Sequence, residues 1–155
     1  MSNYTIEVKQ TSTPVTVSET GPAGPAGSGL ETFIREAGEV LTIYIPVYLD
    51  GGTVKKARAN SENSSKVAGL TTRNSSQGET STYLYEGVIT NSDWSAILDG
   101  SSATLTEGSL YYLSATNAGR LTSSAPTTVG QFVVQVGYAQ SATKLALQIQ
   151  PPIKL

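Results

Sequence analysis

Any catalysis in this chain must run on carboxylates, hydroxyls and lysines, because its 155 residues include no histidine and no cysteine. That removes a histidine base, a cysteine nucleophile and any thiolate metal site. Three chemistries stay open on residue type: paired carboxylates dividing acid and base work, a serine activated by a lysine, or acidic metal ligands. The spacing supports none of them. Glu79, Glu86, Asp93, Asp99 and Glu107 are spread among turn-like segments with no repeated interval. Asp50-Gly51-Gly52 lacks the alternating oxygen ligands of a calcium loop, and no phosphate-binding glycine loop precedes a helix. Lys55-Lys56-Ala57-Arg58 is the one basic cluster, expected to be a solvated strand or hairpin edge kept from aggregating by its charge. The reading is a non-enzymatic protein without cofactor or metal.

The elements that carry these residues divide the sequence into three parts: 1–20, 21–29 and 30–155. In the first, Tyr4, Ile6 and Val8 alternate with Thr5, Glu7 and Lys9, and Val15 and Val17 resume the pattern after Pro14. A strand near a terminus has few neighbours of its own, so its backbone groups and apolar face want a partner sheet. Its own domain, a sister subunit or another protein could supply that sheet. The third is favoured, because a spacer from Gly21 to Gly29 reaches about 25 Å at a polyproline-like rise of ~3 Å per residue.

That spacer contains Gly21-Pro22-Ala23-Gly24-Pro25-Ala26-Gly27, two collagen triplets and the start of a third. Glycine at every third position lets three polyproline-type strands meet at a crowded axis, so the motif points to a trimer neck built on Gly21, Pro22, Gly24, Pro25 and Gly27. Two triplets cannot hold a triple helix unaided, and the competing reading is a plain Gly/Pro linker.

From Leu30 onward the pattern is β. Val40 to Ile45 reads as a buried strand, with an edge or bulge at Pro46 before Val47-Tyr48-Leu49. Asp50-Gly51-Gly52 predicts a hairpin returning through Val54 to Ala59. Asn60 to Ser65 is loop-like, Val67 to Leu70 is a short apolar piece, and Thr71 to Thr82 is expected to be an exposed, mobile loop. Tyr83 to Ile89, Leu110 to Ala115 and Gln131 to Val136 are strand candidates. In Thr143 to Gln150, the residues Leu145, Leu147 and Ile149 share the core-facing side. Asn91 to Trp94 could cap one helical turn through Leu98, with Trp94 anchoring it over one end of a sheet. Gly108 and Gly119 mark turns, Gly137 a bulge or close backbone approach, and Tyr111 and Tyr112 opposite faces of one strand. No sustained 3.6-residue period occurs, so the fold class is all-β: a small antiparallel sandwich or barrel around one core, with an extended N-terminal arm and a short collagen-like neck.

A net charge of -2 attracts neither nucleic acid nor an anionic membrane. The longest apolar stretch, Val40 to Leu49, is about half the length of a membrane helix. The start of the chain has no basic region followed by an apolar one, so a soluble product of a cytoplasm is expected.

In the C-terminal half, Gly108-Ser109-Leu110-Tyr111-Tyr112-Leu113 is followed by Ala118-Gly119-Arg120-Leu121-Thr122 and Ala125-Pro126. Val136-Gly137, Ala139 and Ser141-Ala142-Thr143-Lys144-Leu145 come next. This order resembles a β module in virion proteins of tailed phages: capsid decoration proteins, head fibres and tail fibres. The resemblance is good over about the last 50 residues and looser over the rest of the β domain. A short collagen-like neck ahead of such a domain is usual among trimeric phage fibres, which favours the trimer reading of Gly21 to Gly27. The resemblance implies a structural homotrimer whose partner is a major capsid protein, placed on the outer capsid surface after synthesis in the host cytoplasm. In that picture Tyr4, Ile6, Val8, Val15 and Val17 dock on the capsid. The alternative it leaves is a head or tail fibre protein whose distal domain binds a host-surface glycan. A bacterial matrix or adhesin module is a third reading, disfavoured by the absence of a secretion signal.

Overall fold

A two-residue hairpin organises the first half of the domain. Residues 31–155 are described by a computed structural model of the chain. Gly51 and Gly52 take φ of 56° and 91°, the doubly positive combination a type I′ turn requires and that glycine adopts without a steric cost. The turn joins β2 (Pro46–Asp50) to β3 (Thr53–Lys56), in register from Asp50 opposite Thr53 to Val47 opposite Lys56. With β1 (Thr32–Ala37), β4 (Val67–Thr71) and β5 (Thr80–Leu84) they close a barrel in the order β1-β3-β2-β4-β5. Not all of it is antiparallel. β1 runs parallel to β3, with Glu36 opposite Thr53 and Ala37 opposite Val54, because the hairpin reverses the chain a second time after β2.

The second half contributes β6 (Glu86–Thr90), β7 (Leu110–Leu113), β8 (Leu121–Thr122), β9 (Phe132–Val133), β10 (Gln135–Ser141), β11 (Lys144–Gln148) and β12 (Ile153–Lys154). Five of these form an antiparallel sheet in the order β6-β11-β10-β7-β8, and β9 pairs with β12 as a short ribbon. The architecture is all-β, as the patterning implies.

The single expected core is divided. Ala37, Leu41, Ile45, Val47, Val54 and Tyr83 fill the barrel. A larger cluster joins Leu70 and Leu84 of the barrel to Trp94, Tyr111, Leu113, Leu145 and Leu147 of the second half. Backbone hydrogen bonds stitch the same seam: Ala59 N–H donates to Ser114 O at 2.9 Å, Phe132 N–H to Ala59 O at 2.9 Å and Gly119 N–H to Ala57 O at 2.8 Å. Barrel and sheet are therefore one packed body.

Several local expectations need correction. Val40 to Ile45 is not a strand: the chain turns at Ile43 and Tyr44, where Tyr44 has φ of 65°. Thr71 holds this turn by accepting Ile45 N–H at 3.1 Å and donating to Thr42 O at 2.6 Å, while Val40 is left 61% exposed. Pro46 begins β2 instead of interrupting a longer strand, a position where its missing N–H breaks no continuing ladder. The expected irregularity is present just after it, where the β2–β4 register shifts between Val47 and Tyr48. Thr71 to Thr82 is not one exposed loop, since Ser75 exchanges backbone hydrogen bonds with Leu41 and Thr80 onward forms β5. Tyr83 to Ile89 is not one strand either: the chain leaves the barrel at Tyr85 and enters the second sheet as β6.

Gln131 to Val136 is likewise split, Phe132–Val133 pairing with β12 and Gln135 onward joining the five-stranded sheet, and the hairpin return ends at Lys56, short of Ala59. Other local patterns hold. Leu145 and Leu147 face the core, with Ile149 packed beside it. Tyr111 is buried and Tyr112 half-buried. Asp93 Oδ1 accepts Ser95 N–H at 2.9 Å, and Trp94 O accepts the N–H groups of Ile97 and Leu98, both at 2.9 Å, making the single capped turn. The β10 register shifts between Gln135 and Gly137, and a Cβ on Gly137 would lie 2.3 Å from Ala146 O.

Candidate functional site

Several charged side chains brace the scaffold. Asp50 holds Lys55 in a 2.7 Å ion pair across the hairpin, and this hydrogen-bonded contact raises the Lys55 pKa above its ordinary value. Glu39 accepts Lys56 N–H at 2.8 Å, and Arg58 Nε donates to Ala115 O at 3.0 Å across the barrel–sheet seam. Lys55 and Lys56 end β3 beyond its pairing with β1, which stops at Thr53 and Val54, and Arg58 follows the strand, so the cluster lies along an open stretch of the hairpin.

The carboxylates are dispersed in the same way. Glu79 accepts Ser76 N–H at 2.7 Å, and Asp99 accepts from Asn117 Nδ2 at 2.8 Å. Glu86 lies on exposed β6 and Glu107 in an exposed turn. Hydrogen bonding to Ser95 holds the Asp93 carboxyl below the usual aspartate range. Among the described residues no group of three or more acidic side chains is placed to share a metal ion.

What the surface offers instead is apolar. Inward-facing positions continue past one end of the barrel: Phe33 shares the face of buried Ala37, and Leu49 that of buried Val47. Phe33 is opposite Tyr83 in the β1–β5 register, and their rings stack with centroids 5.6 Å apart. Phe33, Leu49, Ala68, Tyr83 and Tyr85 line a shallow depression of about 210 Å³ at this barrel mouth. Three of its walls are open, with Phe33 39%, Leu49 46% and Tyr85 46% exposed. Burial pushes the Tyr83 pKa up, so the floor of the mouth is uncharged.

A second apolar surface lies on the five-stranded sheet. Val88, Ala146, Tyr138 and Leu110 stand in one cross-strand row on its outer face, and Val88 and Leu110 are both 40% exposed. Beyond it, Tyr112, Val133, Gln135, Gln150, Pro151 and Ile153 enclose a cleft of about 370 Å³ between the sheet and the β9–β12 ribbon. The Tyr85 hydroxyl is 3.5 Å from Ile149 O, so the barrel mouth adjoins the end of this sheet.

The barrel mouth was hidden from sequence reasoning because its residues come from separate stretches of chain. One signal was present: in Phe33-Ile34 two large apolar residues are adjacent, so both faces of that strand carry one. The docking residues Tyr4, Ile6, Val8, Val15 and Val17 and the neck residues Gly21, Pro22, Gly24, Pro25 and Gly27 lie outside the described residues. No protein-family model matches the chain, and no curated protein matches it either.

Proposed function

We propose that this is a structural, non-enzymatic virion protein of a tailed phage: a homotrimeric capsid decoration, or cement, protein. The observation that carries the reading is the order of parts, an alternating arm, then collagen triplets, then an all-β domain. The resemblance of about the last 50 residues to phage decoration and fibre modules supports it, as does a surface that offers apolar patches and dispersed charge.

In the mechanism, each arm adds as a strand to a neighbouring major capsid protein. Main-chain hydrogen bonds supply affinity, and the row Tyr4, Ile6, Val8 with Val15 and Val17 supplies register. The neck through Gly21, Pro22, Gly24, Pro25 and Gly27 keeps three arms together. Binding of one arm then raises the effective concentration of the other two, and modest single contacts combine into slow release. Bridging adjacent capsid subunits opposes the pressure of packaged DNA.

Deleting residues 1–20 tests this reading. The truncated protein is expected to stay trimeric by light scattering and to stop cosedimenting with capsids; truncated protein that still decorates shells overturns the arm mechanism. A second reading, a fibre protein that binds a host glycan, is favoured by one feature. The cleft at Tyr112 pairs an aromatic face with the amides of Gln135 and Gln150, groups suited to a neutral sugar. Binding to purified surface polysaccharide, lost in Tyr112→Ala, would select it over capsid binding.

A further inference from the structure

The barrel mouth lies at the end of the barrel where β1 begins, so the chain leading from the collagen triplets arrives there. Five residues lie between Gly27 and Phe33, a span of at most about 20 Å for extended chain. Three chains gathered at Gly27 would therefore hold three mouths within about 20 Å of a common axis. β1 is itself unusual for a barrel strand: Thr32 to Glu36 are all exposed, and its pairing to β3 is confined to Glu36 and Ala37. The Ile34 carbonyl meets the Arg35 guanidinium at 2.9 Å, and the Ile34 side chain is 59% exposed. A strand exposed on both faces, beside an open apolar mouth, has the character of a surface that another chain covers.

The occupant can be narrowed by size and chemistry. A depression of about 210 Å³ is smaller than an ordinary ligand site. No charged side chain is among its lining residues, and a small molecule would find little there to orient it. Large apolar side chains fit it. The adjoining residues 21–29 are a poor source, because they contain only glycine, proline, alanine and serine, and the apolar arm of residues 1–20 is assigned to the capsid in the reading above. A foreign partner would have to enter between three mouths tethered near one axis.

We infer that the barrel mouth is the self-association surface of the β domain, covered in the assembled protein by Phe33, Leu49 and Tyr85 of sister copies around a threefold axis. This rests on the trimer reading above. It adds the element of that trimer that two collagen triplets cannot supply: a domain contact that brings three copies together before the neck can coil.

The natural chain has no cysteine, so one introduced thiol reports alone. Full-length Leu49→Cys, treated with a short bis-maleimide, is expected to give covalently paired chains on a denaturing gel, while Ser124→Cys gives none. Full-length Leu49→Glu is expected to raise the dissociation constant for self-association by roughly tenfold or more, the cost of exposing a leucine-sized contact. If light scattering finds a trimer but Leu49→Cys neither pairs nor resists thiol reagents and Leu49→Glu remains trimeric, the inference fails and the trimer reading survives. A monomeric full-length protein removes both. A monomer with a protected Leu49→Cys thiol shows in addition that the chain's own N-terminal residues cover the mouth.

Discussion

Replacing Leu70 with alanine tests whether barrel and sheet are one mechanical body, as a knob anchored on a capsid requires. Leu70 belongs to barrel strand β4 and is fully buried, yet its side chain packs in the cluster that contains Trp94, Tyr111 and Leu113. Leucine-to-alanine changes in cores cost about 2–5 kcal/mol, depending on how far the site collapses. Here the walls come from two sheets tied by backbone hydrogen bonds at Ala57 and Ala59. Collapse is resisted, and about 3–4 kcal/mol is expected. For a domain of this length that lowers the melting temperature by about 10–18 °C.

The assay exploits the single tryptophan. Trp94 is fully buried between β6 and β7, outside the barrel strands. Its fluorescence follows the second half, while far-ultraviolet circular dichroism follows all strands. Both probes should give one coincident transition in the natural protein and in Leu70→Ala, displaced together. Protein concentration must be matched, because the proposed self-association would make the midpoint concentration-dependent. An earlier dichroism phase with an unmoved Trp94 transition would refute the shared core.

Three further outcomes are expected. Gly137→Ala should cost about 2–3 kcal/mol in urea denaturation, because the new methyl meets the Ala146 carbonyl; Gly130→Ala, at φ of 89° with open space around it, should cost only about 1 kcal/mol. Equal losses would contradict the close β10–β11 approach. Ser81 Oγ is buried with no hydrogen-bond partner among the described residues, so Ser81→Ala should be neutral or stabilising by up to about 1 kcal/mol. A clear loss of stability would contradict that. The Asp93 pKa is depressed in the folded state by its hydrogen bonds to Ser95. Its contribution is therefore present above the unfolded-state pKa and is lost as pH falls through the folded-state value. Asp93→Asn should lose less stability than the natural protein between about pH 7 and pH 3, and an identical pH profile would rule the contribution out.

How much of this was legible in the sequence depends on the range of the forces involved. The Gly51-Gly52 hairpin, the core face of Leu145 and Leu147, the split between Tyr111 and Tyr112 and the Asp93 cap are local, set by one turn or one alternation. The errors come where distant groups override local propensity. Val40 to Ile45 is β-branched and aromatic, but Thr71 and Asn74 hydrogen-bond its backbone into a turn. Tyr83 to Ile89 reads as one strand because nothing in its alternation records that Leu84 pairs in one sheet and Glu86 in another. The parallel β1–β3 pair and the barrel mouth are products of closure, and closure leaves no mark on any single segment.

The central claim is that the chain works as a trimer, and light scattering of the full-length protein during size-exclusion chromatography tests it most directly. A mass of three chains that holds on dilution is the predicted result. A mass of one chain would contradict the account, reducing Gly21 to Gly27 to a linker and removing the avidity on which the proposed capsid binding depends.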